Sequence, residues 1–327
     1  MKLVRRQGSG ALALLTPAVP VVLGLAGALF LAPGGEAASN PPVQSTVREI
    51  WVAAVPIGWN VVPNTRNAIE RERFRPEDTT MTTVVYRRFT RDWERRWRDP
   101  EGALAAETGL AGPVLRARVG ETLLVHFKNL DNETNKPHSM HFHGVEYRPG
   151  SDGAYIPGFS GPGANVKPGD TFTYRLVAGK GSTGVWPYHD HSSSMADSIA
   201  GGMYGALSIL GRKERPPDRE FLVFLSHHLG FMTINGRAFV GNTPTFKAKV
   251  GDLVQWDVLT LGDDFHTFHV HGHRWKRAGT PEDTRTVGPA ESFRVRWVED
   301  APGTWPYHCH VEGHMMEGMI GLYRVSR

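Results

Sequence analysis

The sequence predicts an all-β protein built from two tandem Greek-key β-sandwich domains. Three observations predict it. The length of 327 residues suits two domains. Short runs of alternating or β-branched residues recur, bounded by Pro-Gly or Gly-Pro turns. Several sequence blocks occur twice, in the same order. The composition is 40 % hydrophobic and 21 % charged, so the chain has enough apolar matter for packed cores and no signature of disorder.

At the start, Arg5 and Arg6 precede an uncharged stretch from Gln7 to Gly35, and Ala37 and Ala38 follow. A basic start, an apolar middle and a small-residue end read as an export signal over residues 1–38. The paired arginines suit the folded-protein export route. Left uncleaved, the same segment would anchor the chain to a membrane. The mature chain is expected to be secreted or extracytoplasmic. Lys plus Arg is 37 and Asp plus Glu is 33, and the charge of +4 drops to +2 once Lys2, Arg5, Arg6 and Glu36 are removed. The basic pI therefore does not argue for nucleic acid, and no such partner is expected.

The first domain is expected over 39–212. GETLLVHFKNL alternates as a half-buried strand does, and TFTYRLV follows a Pro-Gly turn. Residues 67–107, with their run of Arg, Glu and Trp, read as a solvated insertion, partly helical or a long surface loop. The segment GRKERPPDR at 211–219 is charged and proline-bearing, as a linker should be. The second domain, 219–327, repeats the β pattern in GDLVQWDVLTL and SFRVRWV.

The repeat is specific. PVLRARVGE at 113–121 matches PTFKAKVGD at 244–252, and HSMHFHG at 138–144 matches HTFHVHG at 266–272. VKPGDTFTYRLV at 166–177 matches VGPAESFRVRWV at 287–298, and WPYHDH at 186–191 matches WPYHCH at 305–310. Four collinear blocks mark a tandem duplication.

The chain holds 15 His and 1 Cys, so no intrachain disulfide is available. In a strand, residues two apart share a face and odd separations oppose each other. His308 and His310 then face one way and Cys309 the other. His269 and His271 share a face, with His266 opposite. One side collects His266 and Cys309, with His314 and Met319 placed to return to it. Two imidazoles, a thiolate and a distant thioether are the donor set of a blue-copper centre. Zinc fits less well, because paired-cysteine spacings are missing. The other side offers His269, His271, His308 and His310, and the first repeat adds His141, His143, His189 and His191. Eight imidazoles can hold several metal ions. The first repeat has no blue-copper set of its own. Asp190 stands where Cys309 would and Met195 where His314 would, leaving His138 as a packing or hydrogen-bonding residue. His126, His227, His228 and His273 read as structural.

HxH, HxH, HxxHxH and HCHxxxHxxxxM, in this order, resemble the multicopper oxidases over nearly the whole mature chain. HTFHVHGHRW and YHCHVEGHMMEGM resemble the two-domain bacterial laccases, called small laccases. LAGPVLRARVGETLLVHFKN and REIWVAAVPIGW resemble segments of ceruloplasmin-like domains. The resemblance implies cupredoxin-like domains and four coppers per chain (one type 1, one type 2 and a type 3 pair). It implies type 1 copper on His266, Cys309 and His314, with Met319 axial. It places type 2 copper on His141 and His269, and the type 3 pair on His143, His189, His191, His271, His308 and His310. It further implies one-electron oxidation of a small reducing substrate, such as a phenol or aromatic amine, coupled to reduction of dioxygen to water. Electrons would enter at His314 and pass from Cys309 to His308 or His310. Asp152 and Tyr147 match positions that supply protons, or for Tyr147 an electron. Met315 stands where other laccases place a second acid. Assembly would be a homotrimer with each cluster shared between chains. Ferrous or cuprous ions are the alternative substrates, with Glu312, Glu317, Met315 and Met316 near His314. A copper nitrite reductase and a non-catalytic electron-transfer protein are the rival functions. Copper stoichiometry separates all three.

Overall fold

The computed structural model describes residues 46–97 and 109–327. The export or anchor reading of 1–38 and the end of the 67–107 segment lie outside the described residues. Among those described, no helix is long and apolar enough to cross a membrane.

The architecture is all-β, with four main sheets among the described residues. In the first, strand Val47–Asn60 pairs antiparallel with Thr80–Phe89 and parallel with Thr122–Asn129, which pairs antiparallel with Thr171–Val177. A sheet of the second half repeats this scheme. Arg219–His228 pairs antiparallel with Phe231–Ile234 and parallel with Leu253–Thr260, which pairs antiparallel with Ser292–Val298. The remaining two sheets also correspond. Leu115–Arg118 runs parallel to Tyr204–Leu210, followed by Gly184–His189 and His141–Phe142, each antiparallel to the last. Thr245–Lys249 likewise runs parallel to Ile320–Ser326, followed by Gly303–Cys309, His266–Val270 and Thr284–Val287. The duplication read in the sequence is thus also a duplication of strand order and direction.

Alternation explains the packing. In Thr122–Asn129 the side chains of Leu123, Val125 and Phe127 are fully buried while Leu124, His126 and Lys128 lean outward. They meet Tyr174, Tyr188 and Leu207 in one core. Trp256, Phe268, Tyr307 and Tyr323 anchor the corresponding core of the second half. A third apolar layer, with Val185, Tyr204, Ala206, Leu222, Phe224 and Leu259, joins the inner sheets of the two halves. The WPYH blocks are positioned identically. Trp186 donates to the Ser182 carbonyl at 2.8 Å and Trp305 to that of Ala301 at 3.0 Å. Tyr188 donates to the Pro113 carbonyl at 2.6 Å and Tyr307 to that of Pro244 at 2.7 Å. Gly144 and Gly272, which close the two HxHG blocks, have φ of +71° and +70°. A Cβ at either would strike the ring of Trp186 or Trp305, so both position and conformation demand glycine.

One expectation is corrected. Within 67–107, residues Thr80–Phe89 are not a solvated insertion but a ten-residue strand of the first sheet. The run MTTVVYRRF is β-branched and aromatic at its centre, and Val84, Val85 and Tyr86 are buried. Arg87 is buried with them, its guanidinium donating to the carbonyls of Tyr86, Gly109, Leu110 and Ala111. Among the described residues of this segment, helix is confined to the single turn Pro76–Thr79 and a short 3-10 turn. The 211–219 segment is also firmly held. Arg118 donates to the carbonyls of Gly211 and Glu214, and Arg296 pairs with Glu214 at 2.6 Å.

Candidate metal centre

Register brings the candidate ligands together. Phe268 lies opposite Cys309 and His269 opposite His308. In the first half His141 lies opposite His189. Three sets of donor atoms result: His266, Cys309 and His314; His269, His271 and His308; and His141, His143 and His189.

The first set sits at the end of strand Gly303–Cys309, where the chain turns into the short helix Glu312–Met316. The Cys309 Sγ is 3.8 Å from His266 Nδ1 and 3.6 Å from His314 Nδ1, and the two nitrogens are 3.2 Å apart. Metal bonds of about 2.1 Å to nitrogen and about 2.3 Å to sulfur span these separations from one central point. Cys309 and His266 are buried, and His314 is half-buried. Burial pushes the Cys309 thiol up and His266 down, the latter to about 4. The Thr267 N–H donates to Cys309 Sγ at 3.3 Å and partly offsets the first effect. Met319 is fully buried alongside. Its N–H donates to the His314 carbonyl and its carbonyl accepts from Cys309 N–H.

The other two sets are built alike. His143 and His189 bring their Nε2 atoms to 3.2 Å, and His271 and His308 bring theirs to 3.1 Å. The Nδ1–H groups of His189 and His308 donate to the carbonyls of Asp190 and Cys309, at 2.9 and 2.8 Å. Those of His141 and His269 donate to the carbonyls of Asp152 and Asp283, at 2.8 and 2.7 Å. Each such bond fixes the tautomer, leaving an Nε2 lone pair for a cation. Burial lowers His143 and His189 to about 4, assisted by neighbouring imidazoles, and lowers His271 and His308 as well. The shifts of these four favour the neutral imidazole, the form a metal ligand needs. Bonds of about 2.0 Å to two nitrogens 3.2 Å apart meet near 105°, an ordinary ligand angle. His191 and His310 flank their sets, with ring centroids 5.2 Å from His141 and 5.3 Å from His308. Among the described residues the buried His191 Nδ1 has no hydrogen-bond partner, which suits a nitrogen kept for a metal.

The two four-histidine groups stay separate within the chain. Ring contacts join His141, His143, His189 and His191 to one another, and His269, His271, His308 and His310 to one another. Among the described residues, no such contact crosses between the groups. Tyr147 lies 6.2 Å from the His141 ring. Burial and the neighbouring Asp152 carboxylate push its hydroxyl up to about 12.

These features match known proteins. Multicopper oxidase family models match residues 93–214 and 214–327. The chain belongs to the multicopper oxidases. Copper is the metal of this family, and the donor sets above suit it. The oxidase chain is 32 % identical over 240 residues to a probable nitrite reductase-hydroxylamine oxidoreductase fusion protein of Kuenenia stuttgartiensis, covering 66 % of this chain and 27 % of that protein. It is 28 % identical over 359 residues to the ferroxidase HEPHL1 of Homo sapiens, covering 87 % and 30 %. It thus spans less than a third of these curated relatives. A solved multicopper oxidase superposes with a TM-score of 0.65 at 25 % identity, covering 88 % of this chain and 92 % of that one. The copper nitrite reductase of Nitrosomonas europaea shares the fold, with a TM-score of 0.64 at 19 % identity and coverage of 86 % and 95 %.

Sequence reasoning missed what supports the ligands. The carbonyls of Asp152 and Asp283 orient His141 and His269, and backbone acceptors leave no trace in residue type. It also missed Asp131. In the first half His138 is gripped by Asp131 at 3.2 Å and Asp190 at 3.3 Å, all three buried. The Ser139 N–H donates to Asp190 at 2.7 Å, just as Thr267 N–H donates to Cys309. His228 and His273 are buried and hydrogen-bonded, the latter to Glu299 at 3.1 Å.

Proposed function

We propose that this multicopper oxidase is laccase-like, coupling one-electron oxidation of a phenolic or aromatic substrate to the reduction of dioxygen to water. The carrying observation is the run His308-Cys309-His310. Cys309 belongs to the sulfur-containing set and His308 to a histidine set, so one peptide segment ties the two together. When bound, copper supplies the one-electron redox chemistry and the dioxygen reduction. In this reading His266, Cys309, His314 and Met319 hold the type 1 ion. His141 and His269 hold the type 2 ion, and the six remaining histidines hold the type 3 pair.

The protein's own contributions are local. His314 is the half-buried member of its set and offers an imidazole edge to substrate. The peptide between Cys309 and His308 is a short covalent route for electrons. Tyr147 keeps its proton across the physiological range, because its hydroxyl titrates near 12. Its hydroxyl hydrogen-bonds to the Asp152 side chain beside His141. The separation of the two histidine groups supports a shared cluster, with the first half of one chain meeting the second half of the next in a homotrimer. The export reading of 1–38 supports an extracytoplasmic setting.

The names of two relatives favour other substrates: metal ions, as in a ferroxidase, or nitrite. Glu312, Glu317, Met315 and Met316 flank His314 and suit a ferrous or cuprous ion. A nitrite reductase needs fewer imidazoles than the eight assembled here. Copper per chain, light scattering, and steady-state rates on a phenol, ferrous iron and nitrite test the reading. The expected result is a full complement of type 1, 2 and 3 copper, a trimer, and the highest rate on the phenol. Copper in the type 1 set alone, or turnover of nitrite without dioxygen, overturns it.

A further inference from the structure

The most exposed large apolar side chain among the described residues is Phe159, 87 % accessible. It does not stand alone. Ile156 is 53 % and Tyr155 36 % accessible on the same short loop. A monomeric soluble protein rarely displays such a cluster without a use for it. Nor is the loop loose. The Ile156 N–H donates to Ser160 Oγ at 2.6 Å, that hydroxyl donates back to the Ile156 carbonyl at 2.7 Å, and Phe159 N–H donates to the same carbonyl at 3.0 Å. The turn is closed on itself and holds its apolar side chains outward.

Its position is the second observation. The Tyr155 N–H donates to the carbonyl of His191 at 2.8 Å, so the loop is bonded directly to one of the four histidines of the first half. Three residues before Tyr155, Asp152 orients His141. The loop is therefore the rim of the open histidine group His141, His143, His189 and His191. On the second half of the chain, the complementary group is open too. His271 and His310 are exposed, and Val311, next to His310, is 36 % accessible.

We infer that the 155–159 loop is the seat for a second copy of this chain, docking beside that copy's His271, His310 and Val311 and clamping the two histidine groups together. The inference rests on the shared-cluster reading above and deepens it by naming the contact. One chain carries both the loop and the exposed histidine group it would meet. The contact is therefore head-to-tail, and it closes into a ring when the rotation permits. Phe159 and Ile156 would become buried anchors at the edge of the cluster, excluding water from it. Aromatic anchors of this kind carry much of the energy of an interface.

The test is the double substitution Ile156→Asp and Phe159→Asp in the full-length, copper-loaded protein. Both side chains are solvent-exposed in the single chain, so the fold should tolerate the change. Light scattering, copper per chain and the visible absorbance of the type 1 set are read together. The expected wild type is assembled and holds its full copper complement. The expected variant dissociates, with association weakened roughly 100-fold or more. It loses the copper held by the histidine groups and keeps the blue absorbance of the His266, Cys309 and His314 set. Retained blue absorbance shows that the second half is folded, so lost assembly is not lost structure. A variant that assembles like the wild type with the same copper count overturns the loop's role and leaves the shared-cluster reading standing. A wild type that is monomeric yet fully loaded overturns both.

Discussion

At position 309 a single sulfur separates two chemistries in one strand. Its side chain joins His266 and His314, while the residues on either side of it turn to the opposite face. Serine at 309 is close in size but offers a hard, neutral oxygen where copper favours thiolate. Cys309→Ser should abolish the blue absorbance. It should also cut turnover by more than about 100-fold, since even changes to the groups orienting a ligand cost 10–100-fold. The copper-free chain should lose only about 1–2 kcal/mol from burying a hydroxyl, measured by chemical denaturation. Asp131 makes a different prediction. Burial alone would raise its carboxyl, but hydrogen bonds from Thr134, His138 and the Glu133 N–H hold it near 2. A folded value below the unfolded one means the stabilisation is present above about pH 4 and lost as pH falls toward 2. Its size is about 2–3 kcal/mol. Asp131→Asn should flatten the acid limb of the stability-versus-pH curve between about pH 4 and 2, and a curve of unchanged slope would sink the assignment.

Strands, rather than single residues, explain why some of this was legible in the sequence and some was not. The alternation of HTFHVH and PYHCH fixes which side chains share a face, so the grouping of His269 with His308 needs only a period of two. The duplication supplied the rest, because PYHDH and HSMHFH had to fold as their counterparts do. The strand Thr80–Phe89 escaped notice for a physical reason. Arginine is rarely buried, and the run of Arg, Glu and Trp within 67–107 reads as a solvated insertion. Arg87 overturns that logic by satisfying its charge with four backbone carbonyls. Arg87→Met should therefore cost about 2–4 kcal/mol, because buried carbonyls are left without donors although the apolar volume is kept. Thermal melts of the copper-free protein check this, and a loss under about 0.5 kcal/mol would show that the contacts are not needed. Asp131 and the carbonyl of Asp283 were illegible for another reason, since their partners are set by loop paths that no local pattern encodes.

Across the whole molecule, the two halves meet through an apolar layer threaded by a buried ionic network. Arg294 binds Asp257 with Nε at 2.7 Å and donates to Ser208 Oγ and the Ile209 carbonyl, both in the first half. Glu220 accepts from Ser208, from Gln255 and from Arg116, another residue of the first half. Burial pushes Asp257 up to about 6 despite Arg294, and neighbouring Glu220 adds to the rise. The sign of its pH dependence is therefore opposite to that of Asp131. A carboxyl raised on folding stabilises the protein fully below its unfolded value near 4 and stops doing so as pH climbs through about 6. Removing only the cation exposes this. Arg294→Met should cost about 3–5 kcal/mol at pH 8, where Asp257 is left charged and unpaired in the interior. At pH 5 the loss should be smaller, because Asp257 can take up a proton. Replacing both residues, Arg294→Met with Asp257→Leu, should recover part of the loss at pH 8, as apolar replacements of buried ion pairs often do. Denaturation of the copper-free variants at the two pH values decides it. If Arg294→Met loses equally at both, the pair does not titrate with folding, and the junction is held by its apolar layer alone.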